Sequence, residues 1–338
     1  MKKAFAAREM LERLHPQIIM AADYLSPSSN IIFLVAQDMG IKTTGLPINW
    51  NNVYKCARIF GEPDLQMVWS EEMRQFLLDR NPRLLPGKVI ATGCPQFDFH
   101  TDKSLIMPRE EFAEVIGFDP NRPVICYSAA SLKTVRREAR ILRCFLEEAI
   151  KNKSLFGEPQ VVVRLNPIGS DPEFLDLARE YPDCFLCEPG WDVRRSISWI
   201  CSSMADIKMW MNLIYHSAVN ISIPSTVILD FAGMNRPIVN VGYDPPDLES
   251  NPYISLSDVW KQDLYRPIIE LGAAKIALNK AELSEFVDGY LRNPSDGTAE
   301  RQDLTRSSFA GCFGNSSERI VAEVVNLTRQ NEPSISMV

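Results

Sequence analysis

Short apolar runs alternate with amphipathic stretches along the chain, and this alternation predicts its elements. The apolar runs predict strands at residues 17–22, 41–48, 65–69, 88–91, 123–128, 160–165, 184–187, 219–223 and 237–241. Apolar residues at helical spacing predict intervening helices, the clearest over residues 134–151, 171–180, 204–216 and 226–235. Strands that alternate with helices are typical of parallel sheets covered by helices. We therefore predict an α/β protein with two Rossmann-like, doubly wound domains, the first of them short or incomplete.

The alternation is interrupted between residues 106 and 122, where a short helix and a Pro-rich turn replace the strands. We interpret residues 106–122 as a connection between a first domain, residues 1–105, and a second domain, residues 123–279. Residues 280–338 are predicted to form a mostly helical tail. Five parallel strands are expected in the second domain, and its ligands should bind beyond the carboxyl ends of those strands.

Composition narrows the classes of function. The 338 residues are 23% charged and 46% hydrophobic with a net charge of −7, as in an ordinary soluble protein and unlike a general nucleic-acid binder. No apolar run reaches the roughly 18 residues that a transmembrane helix needs. The eight cysteines are scattered, and Cys184-Phe-Leu-Cys187 has no second pair or nearby His to complete a zinc site. Reduced, buried thiols in a cytoplasmic protein are expected, with no metal site.

The segment from Val219 to Val241 carries the strongest signal for a ligand. Its strand contains Ser222 and is followed by a tight turn in which Ser225 and Thr226 occupy the position of a helix N-cap. Free backbone N–H groups at such a helix start form a site for a phosphate or diphosphate. Asp230, further along the helix, could accept hydrogen bonds from sugar hydroxyls. The alternative is an ordinary strand–helix unit with a Ser cap and a surface Asp.

Polar residues at the ends of the preceding strands are further candidates. Small residues and a cation follow residues 123–128, with Ser128, Ser131 and Lys133 placed to approach phosphate oxygens. The absence of glycines there excludes the Walker and dinucleotide-binding patterns. Arg164 offers either a planar fork for a diphosphate or a salt bridge at the sheet edge. Trp191 either stacks on a base or plugs the domain, and His216, at the end of an apolar helix, is expected to be structural.

The order of these motifs resembles that of GT-B glycosyltransferases, especially the bacterial surface-polysaccharide transferases near the CDP-glycerol glycerophosphotransferases. The resemblance runs from about residue 40 to residue 325. It is carried by Ser225-Thr226 with Asp230 and Pro237, Arg164-Leu-Asn166-Pro167, Thr92-Gly-Cys-Pro-Gln-Phe-Asp98, Trp69-Ser-Glu-Glu, Tyr265-Arg-Pro267 and Gly314-Asn-Ser-Ser-Glu-Arg319. Asn166 replaces the His of the family's Arg-x-His-Pro motif, which removes an imidazole from the leaving phosphate.

The resemblance implies a transferase that moves a sugar or polyol phosphate from a nucleotide-activated donor to a glycan or lipid-linked acceptor. The donor would lie in the second domain against Ser128, Lys133, Arg164, Ser225, Thr226 and Asp230. Neither a metal nor a cofactor is required, because GT-B enzymes generally stabilise the leaving diphosphate with helix dipoles and cations. The base that takes the acceptor's proton is expected to be Asp23 or His100, with Asp98 a further candidate.

Two other functions are compatible with the sequence. One is a noncatalytic GT-B-like module that binds a nucleotide sugar or a partner, favoured by Asn166 and by the short first domain. The other is a UDP-sugar 2-epimerase, which shares the two-domain architecture. The chain is expected in the cytoplasm or at the inner face of the membrane, with a second copy or a partner subunit completing the first domain. The donor base, the sugar, the acceptor and the stereochemical course stay open.

Overall fold

The computed structural model describes residues 2–21, 27–55, 59, 61–193, 200–246 and 255–329. The chain divides into two compact units, the first comprising residues Met1–Asp98 and Thr305–Val338 and the second Phe99–Leu304. The chain thus leaves the first unit after Asp98 and returns to it at Thr305. No helix in the described parts of the chain is both long and apolar enough to span a membrane.

The first unit is built on a parallel sheet with the strand order β1-β2-β3-β4. Its elements before Asp98 are α1 (Lys2–Leu14), β1 (Ile18–Ala21), α2 (Pro27–Asp38), β2 (Lys42–Gly45), α3 (Asn51–Lys55), β3 (Leu65–Val68), α4 (Glu71–Arg80) and β4 (Val89–Ala91). Every residue of β3 is buried, and Ser70 caps α4 by accepting a hydrogen bond from Met73 N. The cap and the acidic first turn explain why this helix begins at Glu71.

The second unit contains a six-stranded parallel sheet. Its elements are α5 (Arg109–Ile116), β5 (Val124–Ser128), α6 (Ala139–Phe145), β6 (Gln160–Arg164), α7 (Glu173–Glu180), β7 (Cys184–Cys187), β8 (Trp191–Val193), β9 (Ile200–Ser202), α8 (Met204–His216), β10 (Val219–Ser222), α9 (Val227–Gly233), β11 (Ile238–Val241), α10 (Leu256–Val259), α11 (Arg266–Leu271), β12 (Lys275–Ala277) and α12 (Lys280–Arg292). The unit boundary falls within α13 (Thr298–Ser308), and α14 (Ser316–Arg329) belongs to the first unit.

The strands of the second sheet follow the order β12-β11-β10-β5-β6-β7. The chain moves outward from β5 to β7 and then returns to the other side of β5 with β10. This reversal places a topological switch point between β5 and β10, where ligands of doubly wound sheets bind outside the carboxyl ends of the strands. One face of the sheet is apolar and packs Ile125, Tyr127, Val161 and Val239 into the main core.

Thr92-Gly-Cys-Pro-Gln-Phe-Asp98, one of the motifs behind the family resemblance, organises the first unit. The Asp98 carboxylate accepts hydrogen bonds from Ser316 N (2.9 Å) and Ser317 N (2.8 Å), so it caps the start of α14. Gly93 has a φ of +76°, and a Cβ there would collide with Ser316 Oγ. The Phe97 ring lies 4.4 Å from that of Phe309. The motif therefore has a structural role. Asp98 caps a helix, whereas the sequence predicted it as a candidate for proton transfer.

The predicted fold class is confirmed, since both units are α/β with parallel sheets. The nine predicted strands all lie at the expected places, although the run at residues 41–48 forms a strand only over Lys42–Gly45. The sixth strand of the second sheet, β12, was missed because it has only three residues and begins with a charged side chain. The antiparallel pair β8–β9 falls in a segment that was predicted to be a loop.

Candidate functional site

A row of polar side chains crosses the second sheet at the switch point. Ser128 Oγ donates to Asn220 Oδ1 at 2.7 Å, and Asn220 Nδ2 donates to Ser222 Oγ at 3.1 Å. Ser222 Oγ in turn donates to Asn240 Oδ1 at 3.2 Å. The register pairs Ser128 with Ser222 and Ser222 with Asn240, so these side chains share one face of β5, β10 and β11. The predicted Ser128 and Ser222 are thus brought together.

Asn240 ends this row with an unsatisfied group. It is fully buried, and its Nδ2 has no hydrogen-bond partner within the described residues. A buried amide without a partner costs roughly 1–3 kcal/mol, and in native proteins it usually indicates a missing water or ligand. The row therefore holds one buried donor without a partner, near the edge of the sheet where ligands of this architecture bind.

The loop after β5 meets the loop after β6 beside this row. Leu132 N donates to Gly169 O at 3.0 Å, which joins the two loops. Ser131 is buried and its hydroxyl accepts a hydrogen bond from Lys133 N, while the Lys133 side chain is exposed. Asn166 makes a local turn, with Oδ1 accepting from Ile168 N at 3.1 Å. Of the two predicted cations, Lys133 and Arg164, Lys133 is therefore the one with an exposed side chain.

Glu138 holds the loop after β5 in place. Its carboxylate accepts a hydrogen bond from Ala130 N at 2.8 Å and one from the Tyr127 hydroxyl at 3.4 Å. Burial raises the pKa of the Glu138 carboxyl to about 8, and the negative charge of Asp171 acts in the same direction. A neutral Glu138 is therefore favoured at neutral pH, although nothing in the sequence distinguishes it from a surface glutamate.

The turn at the start of α9 has the predicted capping residues. Thr226 is the N-cap, and Ser225 Oγ accepts a hydrogen bond from Val227 N at 3.3 Å. Both residues are partly exposed. Ser225 and Thr226 follow directly from β10, so they lie at the same edge of the sheet as the polar row.

Arg164 lies at the end of β6 but uses its guanidinium within the fold. Nη2 lies 2.7 and 2.8 Å from the two carboxylate oxygens of Asp206, and Nη1 donates to Glu188 O. Side-chain exposure is only 9% for Arg164 and 4% for Asp206, so water barely reaches the pair. The structure therefore favours the salt bridge over the diphosphate fork, the two alternatives that the sequence left open.

Asp206 also binds the segment that follows β7. It accepts hydrogen bonds from Gly190 N at 2.8 Å and from Trp191 Nε1 at 2.7 Å. The Trp210 ring lies 5.6 Å from the Arg164 guanidinium on the other side. Trp191 is therefore anchored by its indole nitrogen to the buried ion pair, and it keeps 36% of its surface exposed.

Asp230 and His100 form a buried pair one turn into α9. His100 Nε2 lies 3.0 Å from Asp230 Oδ1, and Trp210 Nε1 approaches the same oxygen at 3.4 Å. The His100 side chain has no exposed surface and that of Asp230 only 5%. The pair is closed to solvent, so the structure presents neither Asp230 to a sugar hydroxyl nor His100 to an acceptor, contrary to the expectation from the sequence.

The other predicted residues are placed as follows. Asp23 lies outside the described residues. His216 is structural, as expected, because its Nε2 lies 3.0 Å from Met107 O and its ring stacks on Phe112. Burial lowers the pKa of His216, which keeps the imidazole neutral. The described residues contain no group of three or more His, Cys, Asp or Glu side chains placed to hold a metal ion.

Asn220 and Asn240 were missed by the sequence analysis, although a signal for both was present. Each is a polar residue inside an otherwise apolar strand, and Asn220 stands two residues before Ser222 on the same face. The long-range partners Asp206 and Trp210 had no such signal. Asp206 and Trp210 join the site only because α8, which carries both, packs against the second sheet.

Comparison with known proteins places the architecture among GT-B proteins. No protein-family model and no curated protein matches the chain. Among solved structures, the UDP-GlcNAc 2-epimerase from Neisseria meningitidis bound to UDP-GlcNAc is similar over 96% of this chain and 80% of its own, with a TM-score of 0.61 and 14% identity.

The UDP-GlcNAc 2-epimerase from Methanocaldococcus jannaschii is similar over 96% of this chain and 81% of its own, with a TM-score of 0.60 and 14% identity. A glycosyltransferase from Rickettsia africae is similar over 98% of this chain and 82% of its own, with a TM-score of 0.57 and 11% identity. At such identities the similarity establishes the fold, while the narrower resemblance to CDP-glycerol glycerophosphotransferases stays a prediction. The chain therefore has the GT-B fold.

Proposed function

We propose that this protein binds a UDP-activated sugar at the carboxyl edge of β5, β10 and β11 and acts on the sugar as a 2-epimerase does. The observation that carries the proposal is the polar row from Ser128 to Asn240. It stands at the switch point of the sheet and ends in a buried amide donor without a partner. The row itself is buried, so a nucleotide sugar would meet this edge through the exposed Lys133 and the partly exposed Ser225 and Thr226.

The type of reaction is proposed from the similar structures. Two of those named above are UDP-GlcNAc 2-epimerases, and the structure of one contains UDP-GlcNAc. Their similarity extends over almost the whole of this chain, across both units. Lys133 would attract the diphosphate, and the partly exposed Ser225 and Thr226 would contact it from the start of α9.

Sugar transfer is the second candidate, favoured by the similarity to the Rickettsia africae glycosyltransferase and by the family motifs in the sequence. In that reaction the nucleotide diphosphate leaves when the sugar joins a glycan or lipid-linked acceptor. Asn166 stands where the resembling transferases have His, so the imidazole at their leaving phosphate is missing here, and this difference counts against transfer by their mechanism.

Proton NMR of UDP-GlcNAc incubated with the protein separates these reactions. We expect a new anomeric signal from the 2-epimer, still linked to UDP, because epimerisation needs no acceptor. The accumulation of UDP only when an acceptor is added would instead indicate transfer. An unchanged UDP-GlcNAc spectrum, under conditions where UDP binds, would refute catalysis on this substrate and leave a binding module.

A further inference from the structure

A cavity of about 360 Å³ lies at the amino edge of the second sheet, opposite the candidate site. It opens at the amino ends of three neighbouring strands, where Val124, Ala218 and Pro237 line it beside β5, β10 and β11. The end of α8 and the segment after α9 complete its walls. It is therefore separate from the candidate nucleotide-sugar site at the carboxyl ends.

Arg109 forms one side of this cavity and is held rigidly by backbone oxygens. Its Nε donates to Pro120 O at 2.7 Å, Nη2 to Arg122 O at 2.7 Å and Nη1 to His216 O at 2.8 Å. All three acceptors are neutral carbonyl groups. Glu110 and Asp119 are the acidic residues whose charges act on Arg109, yet neither forms an ion pair with it in the described part of the chain. Its positive charge is thus left without a directly bonded anion.

Arg236 adds a second guanidinium without a carboxylate partner. Its Nε is buried and makes no hydrogen bond within the described residues, and its guanidinium carbon lies 5.1 Å from the centre of the Tyr215 ring. Burial lowers the pKa of Arg236, and the Arg109 charge acts in the same direction. A buried charge without a partner is costly, and Arg236 lines the cavity with no carboxylate to balance it, so an anion in the cavity would offset that cost.

The part of the cavity wall formed by Asn235 and Pro294 is held in place by hydrogen bonds within the fold. Asn235 adopts a left-handed conformation with a φ of 52°, and its Oδ1 accepts a hydrogen bond from Arg301 Nε at 3.0 Å. Arg301, which is fully buried, also donates to Pro294 O and so holds the second lining segment. A preformed pocket binds its ligand without an ordering cost.

We propose that this cavity binds a small phosphate-bearing anion, with Arg236 donating directly to the phosphate and Arg109 supplying a second positive charge. Phosphate fits better than a carboxylate, because its greater negative charge compensates both guanidiniums. His216 contributes no charge, because burial lowers the pKa of its imidazole and keeps it neutral. The proposal does not depend on the UDP-sugar function.

Calorimetric titration of inorganic phosphate into the full chain tests this site, with excess UDP present to fill any nucleotide site. We expect the intact protein to bind phosphate and Arg236→Gln to weaken that binding at least about tenfold, the loss of a charge-assisted hydrogen bond. The matched control is Arg179→Gln, which removes the same charge from an exposed side chain on α7, next to β7 at the far edge of the sheet. This control should bind phosphate as the intact protein does.

Arg236→Gln breaks no hydrogen bond seen in the described residues, so it should fold, and thermal unfolding checks this. Arg236→Lys keeps the charge but loses the planar guanidinium, so it should weaken phosphate binding severalfold. It replaces Arg236→Gln in the test if that variant is unstable. The absence of phosphate binding up to about 10 mM, or equal affinity in the intact protein and Arg236→Gln, would overturn the proposal. A parallel loss of UDP binding in Arg236→Gln would also overturn it, because the two anions would then share one site.

Discussion

Asp206→Ala is expected to lower the free energy of unfolding by about 3–5 kcal/mol, the usual cost of removing one partner of a buried ion pair. The substitution leaves the Arg164 guanidinium, Gly190 N and Trp191 Nε1 without the carboxylate that binds all three. Urea unfolding measures the loss. Asp176→Ala, which removes an exposed partner of Arg179, should change the stability by less than about 0.5 kcal/mol.

A double substitution separates the pair from the rest of the core. Replacing Arg164 with Met and Asp206 with Leu removes both charges, so the combined variant should be more stable than Asp206→Ala alone. If Asp206→Ala costs less than about 1 kcal/mol, the ion pair is not closed to water as the structure has it.

Glu138→Gln is expected to remove a pH dependence of stability between about pH 4.5 and 8. The folded pKa of about 8 lies above the ordinary value of 4.5, so the folded protein holds a proton there that the unfolded chain releases. The stability contributed by this group is complete below pH 4.5 and falls as the pH rises, by about 1.4 kcal/mol per unit and about 4–5 kcal/mol in all.

Unfolding free energies at pH 5, 6, 7 and 8 test this expectation. The Gln side chain keeps an acceptor for Ala130 N. The free energy of unfolding of the variant, relative to that of the intact protein, should therefore rise steadily towards pH 8. Glu111→Gln, at an exposed position of α5, is the matched control and should follow the intact protein. Parallel profiles for Glu138→Gln and the intact protein would contradict the raised pKa.

The sequence predicted the elements well because their signals are local. The alternation of apolar runs and amphipathic stretches placed all nine predicted strands. The polar positions Ser128 and Ser222 were also readable, since strands of a parallel sheet end at one edge. What could not be read were partners far apart in the chain: Arg164 and Asp206 are separated by 42 residues, and Asp98 and Ser316 by 218.

These long-range contacts decide which predicted residues remain available to a ligand. Arg164, Asp230 and Asp98 have the side chains that the chemistry needs, but the fold pairs them with Asp206, His100 and the start of α14. Lys133, Ser225 and Thr226 keep exposed surface. The sequence motifs therefore predicted a site at the carboxyl edge of the sheet, and tertiary packing determines which polar groups of that edge face solution.

Isothermal titration of UDP into the purified chain tests the central claim most directly, with Lys133→Gln and Lys151→Gln as a matched pair. Both lysines are exposed, but Lys133 follows β5 at the carboxyl edge, whereas Lys151 follows the helical segment that returns to the amino edge. We predict micromolar binding of UDP, weakened several-fold by Lys133→Gln and unchanged by Lys151→Gln. Failure of the intact chain to bind UDP, or equal affinity in all three proteins, would contradict a nucleotide-sugar site at this edge.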